Sequence, residues 1–126
     1  MPKETNERRL ALLLRVLTDT ASNVVLFKER AFSGSSEADD LGLAAVLPAD
    51  VPREEAKDRL KAALAEFLRR GGRPNRIEYT YEDSDPETIY EFRLELERTR
   101  LYVKTELKLD DPSDPILIVK SVKRRN

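Results

Sequence analysis

Six polar side chains that could do chemistry alternate with apolar residues along two neighbouring stretches of the chain. They are Glu91, Arg93, Glu95, Tyr102, Lys104 and Glu106. A carboxylate such as Glu91 could take the proton from a ribose 2′-OH, while Arg93 and Lys104 hold the charge that develops on the phosphate and Tyr102 positions or protonates it. This group could therefore cleave RNA without a metal ion. Because solvent-facing sheets ordinarily contain the same residue types, a solvated face without function is the alternative.

The stretches that hold these side chains are predicted to be β-strands, because their apolar residues recur at every second position. One face of residues 88–96 consists of Tyr90, Phe92, Leu94 and Leu96, and residues 101–109 alternate in the same way. The apolar run from Ile116 to Val119 predicts a third strand over residues 115–123, near the centre of the sheet. Arg76 and Lys120 are expected on strands that flank the polar face.

A hairpin that turns at Arg98-Thr99 would join the first two strands and bring their apolar faces together. The apolar pairs would be Leu96–Leu101, Leu94–Val103 and Phe92–Thr105. The polar pairs would include Arg93–Lys104 and Glu91–Glu106. Like charges directly across a strand pair are destabilising, so this register predicts either a solvated charge pattern or a site that binds an anion.

Two helices are predicted, over about residues 5–20 and 51–70. The first would begin at Thr5 or Asn6, and its apolar stripe consists of Leu10, Leu13, Leu14 and Leu17. This stripe is expected to pack on the sheet, with a partner-binding face as the alternative. The second helix would be capped by Asp50 or Val51 and ended by Gly71-Gly72. Its buried stripe would consist of Ala56, Leu60, Ala63, Leu64, Phe67 and Leu68.

The remaining segments complete an α+β domain over residues 1–126. Val24–Phe27 is a candidate edge strand, residues 31–40 predict a loop or a short helical turn, and Leu41–Leu47 is expected to be part-helical. A further strand is predicted over residues 76–82. This order of elements predicts two main helices on one face of a curved, mostly antiparallel sheet of four to five strands.

The composition excludes several kinds of function. The formal net charge of −1 gives no overall attraction for nucleic acid, although Lys120, Lys123, Arg124 and Arg125 make the last residues basic. The chain has no Cys and no His, which excludes disulfides, His-based catalysis and the common zinc sites. No cofactor motif occurs, so no cofactor is expected.

The apolar run Leu10–Leu17 follows two arginines but is short and is interrupted by Arg15, which favours a helix over a signal peptide. Nothing in the sequence approaches the length of a membrane span. We therefore expect a cytoplasmic protein with no membrane partner.

Four short strings, taken together, resemble one family. They are Ala38–Leu43, Thr88–Glu91, Leu101–Lys104 and Ile116–Lys123. They are similar to the Ala-Asp-Glu-Leu-Gly-Leu segment and to the strands Thr-Ile-Trp-Gln, (Val/Leu)-Tyr-(Leu/Val)-Lys and Leu-Ile-Val-Ser-Phe of the MqsR-type toxins of bacterial toxin–antitoxin systems. The resemblance implies a RelE-like α+β fold and a metal-independent endoribonuclease that cuts mRNA. It also implies an antitoxin, or another protein partner, on a separate chain.

Transferred residue by residue, the resemblance implies that Tyr102 is the active-site tyrosine and Lys104 the lysine beside it. Glu91 lies where the family has a catalytic glutamine. Arg76 matches the family's other catalytic lysine, with Glu78 as the alternative. The residues expected to bind RNA are Arg93, Lys120, Lys123 and Arg124. The chain departs from the family in its Glu for Gln, its slightly acidic charge and its longer segment over residues 44–76.

Three functions remain open on these grounds. In the leading one, Glu91 acts as the base, Tyr102 orients or protonates, and Lys104, Arg93 and Arg76 stabilise charge, so that cleavage leaves a 2′,3′-cyclic phosphate. The second is a non-catalytic interaction or inhibitor module that uses a sheet edge or the charged face. The third is RNA binding without cleavage through the basic C-terminal residues.

Overall fold

The computed structural model describes residues 7–19, 24–35, 40–76, 89–109, 111 and 113–125. Its helices are α1 (Glu7–Thr18), α2 (Glu29–Ser33) and α3 (Arg53–Arg69), with a 3-10 turn at Leu43–Ala45. Its strands are β1 (Val25–Phe27), β2 (Asn75–Arg76), β3 (Ile89–Leu96), β4 (Thr99–Lys108) and β5 (Ile116–Arg124). These strands form one mixed sheet in the order β1-β5-β4-β3-β2. The predicted α+β class is confirmed, and a RelE-like topology stays a prediction.

The hairpin between β3 and β4 has a different register from the predicted one. It turns at Glu97-Arg98, so that Leu96 lies opposite Thr99. Both turn residues have positive φ, 50° and 66°, which is the backbone form that lets a two-residue turn match the twist of its strands. The predicted register was wrong by two residues, but the faces were right, because a shift of two leaves every side chain on its own side.

The corrected register replaces the expected like-charge pairs with opposite-charge pairs. Glu91 lies opposite Lys104, and Glu95 lies opposite Arg100. Arg93 lies opposite Tyr102, and the Cζ of its guanidinium is 5.2 Å from the centroid of the ring. The polar face of the hairpin is therefore electrostatically stable by itself, so like-charge repulsion is no reason to expect an anion there.

The apolar face of the sheet packs against α1 and α3. Its buried residues include Tyr90, Phe92, Leu101, Val103 and Val119, and the helices contribute Leu13, Leu17, Leu60 and Leu64 to the same cluster. Phe67 of α3 meets Phe92 edge to face, with ring centroids 5.6 Å apart. Burying these aliphatic and aromatic groups on one face leaves the other face of the sheet to polar side chains.

The helices differ from the sequence expectation in their details. In α1 the buried residues are Leu13, Val16 and Leu17, whereas the predicted Leu10 and Leu14 are only half-buried. The stripe is therefore centred on the Leu13–Leu17 side of the helix. In α3 the buried residues are Ala56, Leu60, Leu64 and Ala65.

The two ends of α3 are also defined. The helix begins at Arg53 after Pro52, and no side chain caps it, so neither Asp50 nor Val51 is the cap. At the other end Gly71 has φ 88°. Its N–H bonds to the Leu68 carbonyl, and the Gly72 N–H bonds to the Phe67 carbonyl, which together form a Schellman motif.

The edge of the sheet next to β5 is built by β1 and by the chain that follows it. The predicted edge strand is confirmed, and it pairs parallel with β5. Beyond it, the Lys28 N–H donates to the Val119 carbonyl at 3.0 Å and the Gly42 N–H to the Val122 carbonyl at 3.1 Å. These bonds attach α2 and its flanking residues to the edge of β5.

Several predictions fall outside the described residues. These are the caps Thr5 and Asn6, the strand residues 77–82, and Thr88. Of the predicted strand over residues 76–82, the structure describes only Arg76, which with Asn75 forms β2 and pairs antiparallel with β3.

We expect the substitution Arg98→Gly to stabilise the protein by about 0.5–1 kcal/mol, because glycine adopts positive φ without the steric cost of a Cβ. The free energy of unfolding from urea denaturation measures this. Glu95→Gly, at an exposed β3 position, is the control and should lower stability. A loss of stability in Arg98→Gly would contradict the described turn.

Candidate functional site

A β-bulge in β5 creates the site. Lys104 of β4 lies opposite Ser121, but the next residue, Thr105, lies opposite Val119, so Lys120 is an extra residue in the ladder. Val119 and Val122 both remain in the core. Lys120 and Ser121 consequently both face the polar side, where an uninterrupted strand would place only one of them.

A cleft of about 330 Å³ lies on this polar face next to the bulge. Its basic lining residues are Lys28, Arg30, Lys104, Lys120 and Lys123. The others are Glu91, Tyr102 and Ser121. Among the described residues, the lining thus has five basic groups and one carboxylate, although the whole chain has a net charge of −1. Such a local excess of one sign in a concave site attracts anions.

Five of the eight predicted site residues line this cleft. Glu91, Tyr102 and Lys104 come from the predicted catalytic group, and Lys120 and Lys123 come from the predicted substrate-binding group. They converge because Glu91 is aligned with Lys104 across β3 and β4, while Tyr102 is aligned with Lys123 across β4 and β5. Three adjacent strands therefore each contribute to one surface.

Of the other three predicted residues, Arg93 and Arg124 do not line the cleft, and the side chain of Arg76 is outside the described part of the structure. Arg93 is beside the cleft, with its Nε 3.7 Å from Glu91 Oε1. Arg124 does not line it, since its register partner is Leu101, whose side chain is in the core. For Arg76 the structure gives the backbone pairing with Tyr90, and it is Asn75 that is aligned with Glu91.

Arg125, which the sequence analysis did not single out as a site residue, approaches Tyr102. The Cζ of its side chain lies 5.8 Å from the centroid of the tyrosine ring. Its backbone N–H donates to the Arg100 backbone carbonyl at 2.7 Å. Two guanidinium groups therefore lie close to Tyr102, those of Arg93 and Arg125. Both contacts fall within the range of cation–π attraction and restrict where the phenol can move.

Lys28 and Arg30 are lining residues that sequence reasoning missed. They belong to the segment after β1, and they reach the cleft because β1 pairs parallel with β5, a strand about 90 residues further along the chain. The sequence holds a weak signal, which is the switch from the apolar run Val24–Phe27 to Lys28-Glu29-Arg30. That change in residue type indicates where a strand ends, but it does not indicate which strand pairs with it.

Two buried carboxylates hold two of the cleft cations. Asp40 Oδ2 accepts a hydrogen bond from Arg30 Nε at 2.6 Å, and the Asp40 side chain is fully buried, whereas that of Arg30 is 45% exposed. Glu106 Oε1 lies 3.5 Å from Lys120 Nζ, with these side chains only 4% and 3% exposed. Lys108 also approaches Glu106, at 3.4 Å. Each carboxylate restrains a cation without lining the cleft itself.

Glu29 lies between Lys28 and Arg30 in the sequence, but its carboxylate bonds to residues that do not line the cleft. Its carboxylate accepts hydrogen bonds from Arg53 Nη2 at 2.6 Å and from Ser33 Oγ at 2.7 Å. The Arg53 hydrogen bond, with help from Ser33, lowers the pKa of Glu29 below its ordinary value. Glu29 is therefore paired with Arg53 of α3, and it does not line the cleft.

Neither a metal cluster nor a membrane helix emerges from the described residues. No group of three or more Asp, Glu, His or Cys side chains in this part of the chain could hold a metal ion. No helix in the described ranges has both the length and the apolar character needed to cross a membrane.

Comparisons of the chain with protein-family models, with curated proteins and with solved structures gave no match. The resemblance to the MqsR-type toxins therefore rests on the short strings alone and stays a prediction.

We expect Glu106→Leu to lower the free energy of unfolding by about 3–5 kcal/mol, because it leaves the buried Lys120 ammonium without its carboxylate. Lys120→Met should cost less, since Lys108 still neutralises Glu106. Urea denaturation of both variants and of the double variant Glu106→Leu/Lys120→Met measures the coupling.

The double variant is the control for cavity effects, because it replaces the charged pair with apolar groups of similar size. It should recover most of the stability lost in Glu106→Leu. If Glu106→Leu unfolds at the same urea concentration as the wild type, the buried pair does not have the assigned role.

Proposed function

We propose that this chain is a metal-independent endoribonuclease that binds RNA in the cationic cleft and cleaves it by attack of a ribose 2′-OH on the neighbouring phosphate. The observation that supports this best is the convergence of Glu91, Tyr102 and Lys104 in one cleft that also has four other basic lining residues. The reaction needs a general base, a general acid and groups that stabilise the charge on the phosphate, and a carboxylate, a phenol and fixed cations can fill these roles.

The roles follow from the register of the three strands. Glu91 and Lys104 are direct neighbours across β3 and β4, so their Cβ atoms are about 5 Å apart. A phosphodiester between them would have the carboxylate near its 2′-OH and the ammonium near its non-bridging oxygens. Glu91 takes the proton of the 2′-OH as the 2′-oxygen bonds to phosphorus. Lys104 then holds the charge that accumulates on the phosphate oxygens.

The remaining groups serve the leaving oxygen and the RNA backbone. Tyr102 is on the same strand and the same face as Lys104, two residues away, and it gives its proton to the 5′-oxygen as the P–O bond breaks. The products are a 2′,3′-cyclic phosphate and a 5′-hydroxyl end. Lys28, Arg30 and Lys123 bind phosphates, and such contacts dominate the affinity of proteins for nucleic acid. Lys120, which is nearly buried against Glu106, adds positive charge beneath them.

A second candidate function is RNA binding without cleavage. It is favoured by the ionic surroundings of Glu91, whose carboxylate lies 3.7 Å from Arg93 Nε and whose register partner is Lys104. A carboxylate between two cations can serve to fix those cations in place. In that case Glu91 organises a binding surface and takes no proton.

The two candidates differ in the effect of Glu91→Gln and Tyr102→Phe on RNA cleavage in EDTA. For the nuclease, each variant should lower the cleavage rate by about 10²–10⁴-fold, the usual contribution of a general acid or base. The measurement follows a mixed-sequence RNA on denaturing gels and identifies the ends chemically as cyclic phosphates.

Glu95→Gln is the matched control, because Glu95 is a carboxylate on the same face of β3 that does not line the cleft. It should cleave at the wild-type rate. Cleavage by Glu91→Gln at the wild-type rate would contradict the assigned base. A wild type that binds the RNA but never cuts it would establish the second candidate instead.

A further inference from the structure

We propose that Arg30 binds a phosphate of the RNA backbone and that the buried Asp40 positions it, so that α2 is part of the RNA-binding surface. This inference rests on the proposed binding of RNA in the cleft. Arg30 and Asp40 both lie outside the strands of the sheet, whereas the sequence pattern located the site on strands alone. Arg30 contacts the ligand, and Asp40 acts only through Arg30.

The geometry of Arg30 suits this role. Its guanidinium lines the cleft and is 45% exposed, while its Nε is fixed on Asp40 Oδ2 at 2.6 Å. A guanidinium holds its five N–H donors in one rigid plane, and the bond from Nε to Asp40 Oδ2 sets the direction of that plane. An arginine whose plane is set by one carboxylate is pre-organised for the oxygens of a phosphate.

Asp40 is in turn fixed to the framework. The Ser35 N–H donates to its carbonyl at 3.0 Å, and two residues later the Gly42 N–H bonds to the Val122 carbonyl of β5. Gly34 and Gly42, both with positive φ, let the end of α2 approach residues 40–42 so closely that a Cβ on either would overlap backbone atoms. The backbone of Asp40 therefore has a set position relative to β5.

Burial is the reason to regard Asp40 as a positioning residue. Its side chain is fully buried, whereas its partner is half-exposed. A buried carboxylate has a desolvation cost that an exposed one avoids, so mere neutralisation of Arg30 would be achieved more easily at the surface. A positioning role accounts for this unfavourable desolvation, because the buried carboxylate fixes the direction of the Arg30 guanidinium.

The walls of the cleft come from backbones that lie well apart. The backbone of Lys28 lies one strand beyond β5, which places it three strands from β3. Three strand spacings amount to about 14 Å. Side chains from both walls extend into this space, and Arg30 and Glu91 therefore line the same cleft.

The variant Asp40→Asn distinguishes a positioning role of Asp40 from a purely electrostatic one, because the two roles predict opposite changes in RNA affinity. If the cleft acts only through its net charge, removing the negative charge of Asp40 strengthens RNA binding. If Asp40 positions Arg30, the same variant weakens binding although the protein becomes more positive. We expect a weakening of about three- to fivefold, and about tenfold for Arg30→Ala, in line with one charge-assisted contact.

The experiment measures fluorescence anisotropy of a fluorescein-labelled single-stranded RNA of mixed sequence, with 2′-O-methyl riboses that prevent cleavage, at several salt concentrations. Arg30→Ala should lower the salt slope by about 0.7, the value for one lost contact with a single strand. Asp40→Asn should leave the slope unchanged. Arg30→Lys retains the charge but loses the planar group, so it should retain the slope and bind more weakly.

The double variant Arg30→Ala/Asp40→Asn tests whether Asp40 acts through Arg30, since it should bind no more weakly than Arg30→Ala alone. Arg59→Ala is the matched control, because Arg59 is an ion-paired arginine of similar exposure, 41%, on α3. Circular dichroism checks that each variant folds. If Asp40→Asn does not fold, the affinities and slopes of Arg30→Ala and Arg30→Lys decide the matter.

Equal or tighter binding by Asp40→Asn, or wild-type binding by Arg30→Ala, would overturn this inference and leave the proposed function standing. A wild-type protein that does not bind the RNA at all would overturn both. About tenfold weaker binding by Arg30→Ala and about three- to fivefold weaker binding by Asp40→Asn, with normal binding by Arg59→Ala, is the result that supports it.

Discussion

The pairing of β5 with β4, and the single interruption in that pairing, is the constraint on which the rest of the structure depends. β5 lies between β1 and β4, and its residues Leu117, Val119 and Val122 belong to the core. The spacing from Val119 to Val122 is odd, so a regular strand would bury one and expose the other. The bulge at Lys120 resolves this conflict, and it places Lys120 and Ser121 together on the polar face.

Ion pairs with buried carboxylates explain how a slightly acidic chain forms a basic cleft. The chain as a whole has no excess of basic over acidic residues. Two of the cations that line the cleft are, however, held in place by carboxylates that do not line it. Asp40 and Glu106 are both buried, and each bonds to a basic residue that lines the cleft, Arg30 and Lys120. Charge separation over a few ångströms thus produces a local field that the overall charge of −1 conceals.

Much of the sheet could be predicted from the sequence, because burial on one face imposes a period of two. The apolar faces of β3 and β4 follow directly from Phe92 and Val103 and their neighbours. The register could not be predicted. Its turn, Glu97-Arg98, lacks the glycine or asparagine that announces two residues of positive φ. Pairing across the polar face then favours the observed register, with Glu91 opposite Lys104.

The candidate site was predictable only where it lies on consecutive strands. Glu91, Tyr102 and Lys104 follow from local alternation, whereas Lys28 and Arg30 depend on the parallel pairing of β1 with β5, which no local pattern specifies. The bulge could not be predicted either. The buried positions Leu117, Val119 and Val122 change their spacing from two to three at Lys120, but Ile116 and Ile118 are apolar as well, so the sequence alone does not show this change.

Chemical-shift mapping by NMR tests the central claim, that the cleft beside the bulge binds RNA, most directly. The ¹⁵N-labelled protein is titrated with a short single-stranded RNA whose 2′-hydroxyls are methylated. The account predicts amide shifts concentrated at Lys28, Arg30, Tyr102, Lys104 and Ser121, with little change in α1 and α3. Shifts confined to the helices, or no shifts at saturating RNA, would contradict it.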